Sequence, residues 1–387
     1  MKKILFLGLS VLFSSCNPDK IEERVIDLLV SPESELTKIS EIATDVKYIP
    51  LQTTEHGLIP YILDVKKNNE KVFVRTNRSE ILCFNNAGQY LFKLSNSGRG
   101  PEEYTYIYDF DVTDDNILLV LTRSRLLFFN IADSAFIYFK TLNFKFDPGY
   151  VAISPDQNHI LLSYGSSYGN EPYRNVLINM NGDTIMKIPN QYKYSKNTKM
   201  HFAATFENIN FNYKNLLHFK FWLNDTVFTL TEDNKVEPYL IFDSHGKQTT
   251  IEALANFSEN TLRDYTNVNS ILETNRYIIY RYFSEKLCVR VFDKISSKIL
   301  YIDYKSRDMT LWVTDDFTGG VNIEPKFCID GDIYAWTDAI TLKKHIASDE
   351  FKSSSVKFPD KKEALQKLAD SLDETDNPVL IVVTPKN

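Results

Sequence analysis

The chain has 387 residues, a net charge of −7 and a pI near 5.5. Nucleic-acid binding depends on clustered positive charge, so this composition argues against nucleic acid as a partner. Aromatic residues make up 13% of the sequence, with 22 Tyr and 26 Phe, which is enough apolar material for a large core.

The first fifteen residues have the pattern of a secretory signal peptide. Lys2 and Lys3 precede an apolar run over residues 4–13, and this run is too short to span a hydrocarbon core. The sequence FSSC then ends at Cys16 and resembles a bacterial lipobox, whose cysteine becomes the lipidated first residue. An ordinary cleaved signal with an incidental cysteine is the alternative. We predict a signal peptide over residues 1–15, a lipidated N-terminal linker over residues 16–40, and membrane attachment through the lipid anchor alone.

From residue 41 onward, a short apolar strand, a polar turn and a second short strand recur along the chain. Six copies of this hairpin are predicted, the sixth being looser, at residues 83–94, 128–142, 177–188, 229–242, 291–303 and 334–346. Each interval between copies is long enough for four short strands. One such sheet cannot bury both of its faces alone, whereas blades stacked around an axis can. We predict an all-β fold, with a single six-bladed β-propeller of four-stranded antiparallel blades over residues 41–387.

The two ends of this domain are predicted to meet in the last blade. VKYIPL at 46–51 completes the sheet beside IYAW at 333–336 and VLIVVTP at 379–385. A short C-terminal helix is predicted within 361–376, because three leucines in it share one helical face. Residues 189–215 and 244–267 depart from the repeat and are predicted to be insertions, the second with a short amphipathic helix.

The glycines of GRGPEEY at 98–104 raise the question whether this stretch is a phosphate-binding loop. Such a loop needs a helix N-terminus after its glycines, but a strand follows here, and the two glutamates repel phosphate. We predict a structural turn between two blades instead. In that turn Gly98 and Gly100 supply positive φ angles, Pro101 ends the turn, and Tyr104 packs beneath it.

GRGPEEY followed by DFDV is similar to the G-x-G-P-G-E-[YF] connection of NHL-like propellers, with Glu102 standing where that pattern has Gly. The chain more specifically resembles the six-bladed β-propeller lipoproteins of unknown function from polysaccharide-degrading gut bacteria. VKYIPLQTT at 46–54, the segment 219–243 and NPVLIVVTP at 377–385 carry the same resemblance. The resemblance implies a propeller over nearly all of the mature chain and no established catalytic residues.

No pattern in the sequence predicts catalytic residues or a metal site. None of the six histidines has a ligand spacing, and the Gly-x-Ser-x-Gly nucleophile motif is absent. Neighbouring aspartates such as Asp109/Asp111 and Asp114/Asp115 are interpreted as polar hairpin turns. No cofactor is predicted, although Ca²⁺ held in the central channel by several blades stays open. Cys83, Cys288 and Cys328 are interpreted as small buried residues, with one disulfide as the alternative.

Flat aromatic side chains at a propeller mouth would suit a sugar ligand. The candidates are Tyr104, Tyr106, Tyr108, Tyr168, Tyr173, Trp222 and Trp312, although aromatic residues are also common in strand cores. The loop at 163–175 has the composition of an adaptable binding loop. We predict ligand contacts at Tyr168, Tyr173, Arg174 and Trp312.

The lipobox, the repeat and the absence of a catalytic pattern together predict a membrane-anchored binding or scaffold module. Its partner would be a glycan, a peptide or an envelope protein at one mouth of the channel. The alternative is a channel-mouth hydrolase or lyase, with Ca²⁺ dependence left open, that acts on a saccharide or ester. We expect a monomeric outer-membrane lipoprotein, facing either the periplasm or the cell surface.

Overall fold

The computed structural model describes residues 24–165, 170–195, 208–256, 264–303 and 313–387. Six sheets surround a central channel, and the predicted six-bladed β-propeller of four-stranded antiparallel blades is confirmed. Within each blade the chain starts at the innermost strand and moves outwards, so every innermost strand faces the channel.

The strands of the first three blades follow one another directly along the chain. They are β4 (Asp64–Lys67), β5 (Lys71–Arg75), β6 (Ile81–Asn85), β7 (Tyr90–Leu94), β8 (Asp109–Val112), β9 (Ile117–Thr122), β10 (Arg125–Ile131), β11 (Phe136–Asn143), β12 (Tyr150–Ile153), β13 (His159–Ser163), β14 (Tyr173–Asn179) and β15 (Thr184–Pro189). Alternating apolar residues fill the spaces between these blades, and Phe73, Phe110 and Phe129 are fully buried.

Blades 4 to 6 contain the later strands together with one strand from the N-terminal part. They are β16 (Asn208–Tyr213), β17 (Leu216–Phe221), β18 (Thr226–Leu230), β19 (Val236–Asp243), β20 (Asn267–Glu273), β21 (Tyr277–Ser284), β22 (Lys286–Asp293), β23 (Ile299–Ile302), β24 (Phe327–Ile329), β25 (Asp332–Thr337), β26 (Val379–Pro385) and β3 (Ala43–Pro50). As predicted, β3 pairs with β26 and completes blade 6. The insertion predicted over residues 189–215 extends too far, because residues 208–213 form the innermost strand of blade 4.

The first described residues lie along the outer edges of the propeller. Strand β1 (Arg24–Asp27) pairs in parallel with β19 of blade 4, and β2 (Ser34–Glu35) pairs in parallel with β23 of blade 5. A 3₁₀ helix over Ile39–Glu41 then leads into β3. This part of the predicted linker is therefore not a linker in the structure, because its backbone satisfies two otherwise open sheet edges.

The described helices are short and lie mainly between β25 and β26. They are α1 (Ile251–Ala255), α2 (Ala339–Ala347), α3 (Asp349–Ser353) and α4 (Pro359–Ser371). Helix α4 confirms the predicted C-terminal helix, whereas α2 replaces the hairpin predicted at 334–346. Buried Ala339, Leu342 and Ile346 explain this difference, because their i, i+3, i+7 spacing follows a helix and not a strand. No helix among the described residues has the length and apolar content to cross a membrane.

The three cysteines of the described chain are free thiols. Cys83 and Cys288 are buried, and Cys328 is partly buried. Burial raises the pKa of Cys83 and of Cys328 to about 12. The prediction of small buried residues fits these positions, and none of the three forms the alternative disulfide.

The order of the strands gives the propeller two different faces. The upper face, as we call it, carries the connections from each outermost strand to the next innermost strand, including residues 51–63, 95–108 and 144–149. The lower face carries the turns between the first and second strands and between the third and fourth strands of the blades, including residues 113–116, 154–158 and 294–298. The longer connections lie on the upper face. Most of the loop residues that could bind a ligand are therefore on that face.

The turn at 98–104 joins β7 of blade 1 to β8 of blade 2 on the upper face. Tyr104 is fully buried, and its hydroxyl donates to the Ser79 carbonyl at 3.1 Å. Neither Gly98 nor Gly100 has a positive φ, so the predicted reason for these glycines is wrong. The Glu103 carboxylate accepts from the Gly100 N–H at 2.7 Å, and a Cβ at Gly98 would lie 1.9 Å from Glu103 Oε2. Gly98 is required for this close approach.

A buried polar cluster joins blades 4 and 5. The His218 ring is 1% exposed and lies 4.1 Å from the Tyr239 ring centroid. Lys294 Nζ donates to Glu273 Oε1 at 2.9 Å, and the Tyr239 hydroxyl donates to the same oxygen at 2.6 Å. Burial lowers the pKa of His218 to about 4; the Tyr213 carbonyl opposes this shift, while the nearby Lys294 charge adds to it. His218 is therefore neutral at physiological pH.

Replacing Gly98 with Ala should destabilise the turn by displacing the Glu103 carboxylate from the Gly100 N–H. We expect Gly98→Ala to lower the free energy of unfolding by about 1.5–3 kcal/mol, the range for a hydrogen bond to a charged group. The measurement is urea unfolding. In a Glu103→Ala background the same substitution should cost much less, and an equal cost in both backgrounds would refute this role for Gly98. Gly149→Ala is the control, because no atom lies within 4 Å of its added Cβ.

Acidification should unfold the chain partly through His218. Its folded-state pKa lies below the ordinary value of 6.5, so the unfolded state binds the proton more readily. This contribution to stability is fully present above pH 6.5 and falls by about 3 kcal/mol as the pH drops to 4. In His218→Phe, urea unfolding at pH 7 and pH 4 should show a correspondingly smaller difference. Exposed His56, changed to Gln, serves as control, and a parallel pH dependence for wild type and His218→Phe would contradict the expectation.

Candidate functional site

The innermost strands of all six blades line one water-accessible channel. Its volume is about 1980 Å³, and its wall combines charged, amide and aromatic side chains. The wall includes Asp64 and Lys66 from β4, Asp109 and Asp111 from β8, Asn210 from β16, Glu273 from β20 and Phe327 from β24. A cavity of this size, open and polar, has room for a ligand much larger than a single sugar or amino acid.

Exposed apolar side chains gather around the upper mouth of this channel at blades 1 to 3. All of them lie in connections that lead into an innermost strand. We call this set the apolar rim: Leu63 (46% exposed), Tyr108 (37%) and Phe146 (44%). Three consecutive blades contribute to it, and large exposed apolar sets of this kind usually mark an interaction site.

The Tyr108 backbone is fixed by a side chain from the neighbouring blade. Arg75 Nη1 donates to the Tyr108 carbonyl at 2.8 Å and to the Ile107 carbonyl at 3.1 Å. The rings of Tyr106 and Tyr108 then meet edge to face, with centroids 5.3 Å apart. The Arg78 guanidinium lies 5.0 Å from the Tyr106 ring centroid. Tyr106 and Tyr108, both candidates from the sequence, therefore form an ordered pair at the mouth.

The predicted ligand residues differ in how the structure places them. Tyr173 begins β14, and its ring supports Phe146 of the apolar rim, with centroids 6.5 Å apart. Arg174, its neighbour, is only 4% exposed and lies 5.9 Å from the Tyr192 ring centroid. Arg174 is therefore a buried side chain, at the position where the register between β14 and β15 shifts. Tyr168, Trp312 and Cys16 lie outside the described residues.

Two carboxylates on the channel wall connect adjacent blades. Asp109 Oδ2 accepts from the Val151 N–H at 2.9 Å, and Asp111 Oδ2 accepts from the Ile153 N–H at 2.8 Å. The interpretation of Asp109 and Asp111 as turn residues is wrong, since both lie within β8. Their i, i+2 spacing places both on the channel side of the strand.

The charges of this wall influence one another. Burial raises the pKa of Asp109 to about 6, with Asp64 adding to the shift and Lys66 opposing it. Burial also raises the pKa of Asp111. Burial alone would lower the pKa of Lys66, but the charges of Asp111, Asp64 and Asp109 outweigh it and raise that pKa. The channel wall thus combines Asp109, an acid with a raised pKa, with Lys66, a lysine whose charge its carboxylate neighbours stabilise.

Within the described ranges, no group of three or more His, Cys, Asp or Glu side chains comes together as a metal site. The carboxylates of the wall instead accept backbone N–H groups and face Lys66. Calcium in the central channel stays the open alternative to the sequence prediction of no cofactor.

Sequence reasoning missed most of the apolar rim. Leu63 precedes the first blade, in a region that the hairpin repeat does not reach. Phe146 stands in the sequence FDPGY, where Pro and Gly mark a turn before β12. A search for large apolar residues just before each innermost strand would have found all three positions.

Comparison with known structures supports the architecture. A predicted exported protein of Bacteroides fragilis NCTC 9343 matches with a TM-score of 0.67 and 18% identity, covering 94% of this chain and 100% of that one. A member of the DUF4221 family from Bacteroides vulgatus ATCC 8482 matches with a TM-score of 0.51 and 12% identity, covering 89% and 97%. At such identities the likeness shows the fold alone. No functionally curated protein matches the sequence.

The family model of the domain of unknown function DUF4934 matches residues 23–384, which is nearly the whole described propeller. The chain belongs to the DUF4934 family.

Proposed function

We propose that the chain is a lipid-anchored module of the cell envelope that binds a glycan at the upper mouth of its channel. The apolar rim carries this proposal. It sets exposed aromatic faces from adjacent blades around a polar cavity, and such faces stack on the C–H surfaces of sugars while the cavity supplies hydrogen bonds to hydroxyl groups.

The arrangement of the mouth favours binding of an extended ligand. Tyr108 and Phe146 come from two different connections, so a ligand that touches both must cross a blade boundary. Arg123 and Asp147 form an exposed ion pair at 3.1 Å on the same mouth, and they add polar groups to it. A chain of several sugar units fits these separated contacts better than a monosaccharide does.

The proposed location in the cell envelope rests on the N-terminal sequence. The signal-like segment and the FSSC motif support export and acylation at Cys16, and the fold is shared with a predicted exported Bacteroides protein. Acylation would hold the module at a membrane without a transmembrane helix.

Removing one ring of the mouth should weaken glycan binding. The full chain is titrated calorimetrically with a panel of oligosaccharides, and Tyr108→Ala and Phe146→Ala should each weaken binding of the best ligand about tenfold, or about 1.4 kcal/mol. Phe139→Ala is the matched control, since Phe139 is equally exposed, at 46%, but lies on the outermost strand β11. Equal loss in the control, or binding only to peptides or envelope proteins, would refute the glycan proposal.

The elevated pKa of Asp109 favours one second candidate, a hydrolase or lyase that acts in the channel. A carboxylic acid that keeps its proton near pH 6 can protonate a leaving group, and Lys66 can stabilise negative charge beside it. Asp109→Asn should then abolish cleavage of a saccharide or ester substrate, as measured by product release between pH 5 and 7. Asp115→Asn, on the lower face, should retain activity. If the wild-type chain cleaves no substrate in the panel, the hydrolase or lyase candidate is rejected and the binding module is kept.

A further inference from the structure

A second cavity lies in the seam between blades 6 and 1, and we call it the seam cavity. Its volume is about 140 Å³. Strands β3, β25 and β26 of blade 6 line one side of it, and β5 and the turn at 85–89 of blade 1 line the other. It shares Lys67 with the wall of the central channel. Most of its lining is apolar: Ile49, Leu51, Val72, Leu380 and Val382.

A gap of this size is unusual inside a protein. Side chains in cores interdigitate and leave few voids larger than a water molecule. The walls here are well packed elsewhere, since Leu51, Val72, Leu380 and Val382 are all buried. An apolar cavity of about 150 Å³ stays free of water and takes up benzene. The seam cavity has the same size and the same kind of wall, so an apolar body of about six to eight non-hydrogen atoms fits it better than water does.

The seam cavity also contains a polar group that the fold does not use. Tyr334 of β25 is 6% exposed, and it lines this cavity and not the channel. Among the described residues, its hydroxyl has no hydrogen-bond partner. The Tyr334 ring stacks on Phe327, with centroids 5.9 Å apart, which fixes the direction of the side chain. A buried hydroxyl without a partner costs stability, and a ligand that accepts its hydrogen bond removes that cost.

The ionisable groups around Tyr334 favour an uncharged ligand. Burial raises the pKa of Tyr334 to about 12, and Asp332 and Asp330 add to the shift. The hydroxyl therefore keeps its proton and can donate it. Lys67 is paired with Asp330 at 3.0 Å, and exposed Lys47 at the border of the cavity offsets the charge of Asp332. With one charge of each sign left over, neither an anion nor a cation recovers the cost of its desolvation.

We propose that the seam cavity binds a small, uncharged aromatic molecule that accepts one hydrogen bond from the Tyr334 hydroxyl. This site is separate from the glycan site at the upper mouth, and its existence does not depend on that proposal. A molecule held there contacts β26 of blade 6 and β5 of blade 1 at the same time. Because it binds only the closed ring, it stabilises the propeller at the blade in which the two ends of the chain meet.

Benzyl alcohol and toluene test the proposal, because both carry one aromatic ring and one attached carbon and they differ in the hydroxyl group. Their dissociation constants for the full chain are measured by NMR titration. Tyr334→Phe keeps the ring and removes the donor, so it should weaken binding of benzyl alcohol relative to toluene about fivefold, as expected for one neutral hydrogen bond. Tyr90→Phe is the matched control, since Tyr90 of blade 1 lines neither the seam cavity nor the channel.

Filling the cavity distinguishes this site from others on the chain. Val72→Phe places a ring in the void and should weaken binding of both molecules at least about tenfold, while its urea unfolding midpoint stays at or above that of the wild type. If that midpoint falls, Val72→Leu, which adds one methylene group, replaces it. Equal binding by the wild type and the filled variant, or no binding to the wild type, overturns the site. An unchanged ratio of the two dissociation constants in Tyr334→Phe overturns the role of the hydroxyl.

Discussion

The pairing of β3 with β26 is the interaction on which the rest of the propeller depends. It joins residues 43–50 to residues 379–385 in an antiparallel register that shifts once, between Thr384 and Pro385, and it turns an open row of blades into a ring. The channel and its two mouths exist only in the closed ring. Since blade 6 contains strands from both ends of the chain, loosening of this one sheet also exposes the apolar faces of blades 1 and 5 that pack against it. The family's fold is therefore secured at the point where its chain ends meet.

Inside the ring, short polar side chains connect the innermost strands, which are too far apart to pair. Asp109 and Asp111 reach the backbone of β12, and Asn212 Nδ2 reaches the Ile153 carbonyl from the other side, at 3.3 Å. These groups have two effects at once. They hold neighbouring blades in register, and they leave a charged, hydrated wall instead of an apolar plug. A ligand in the channel therefore meets groups whose positions are already fixed by the fold, which lowers the entropy lost on binding.

The architecture was accessible from sequence because each blade repeats a local signal. Period-two strands and Asp/Asn/Gly turns are short-range features, and the apolar strands at both chain ends pointed to ring closure. The α2 helix was missed because the residues just before it continue a strand pattern, and only the spacing of Ala339, Leu342 and Ile346 is helical. Most of the apolar rim was missed for a different reason. Its members are far apart in sequence and become neighbours only when the blades are stacked, so the hairpin repeat does not reveal them.

The parallel attachment of β1 and β2 has a consequence for the order in which the chain folds. Arg24 pairs with Leu240 and Ser34 with Leu300, so these first strands pair with partners far along the chain. Blades 1 to 3, whose strands are consecutive, can form early, because their contacts are local. The outer edges of β19 and β23 stay open until the N-terminal segment reaches them, and an open edge is a site at which other chains can pair.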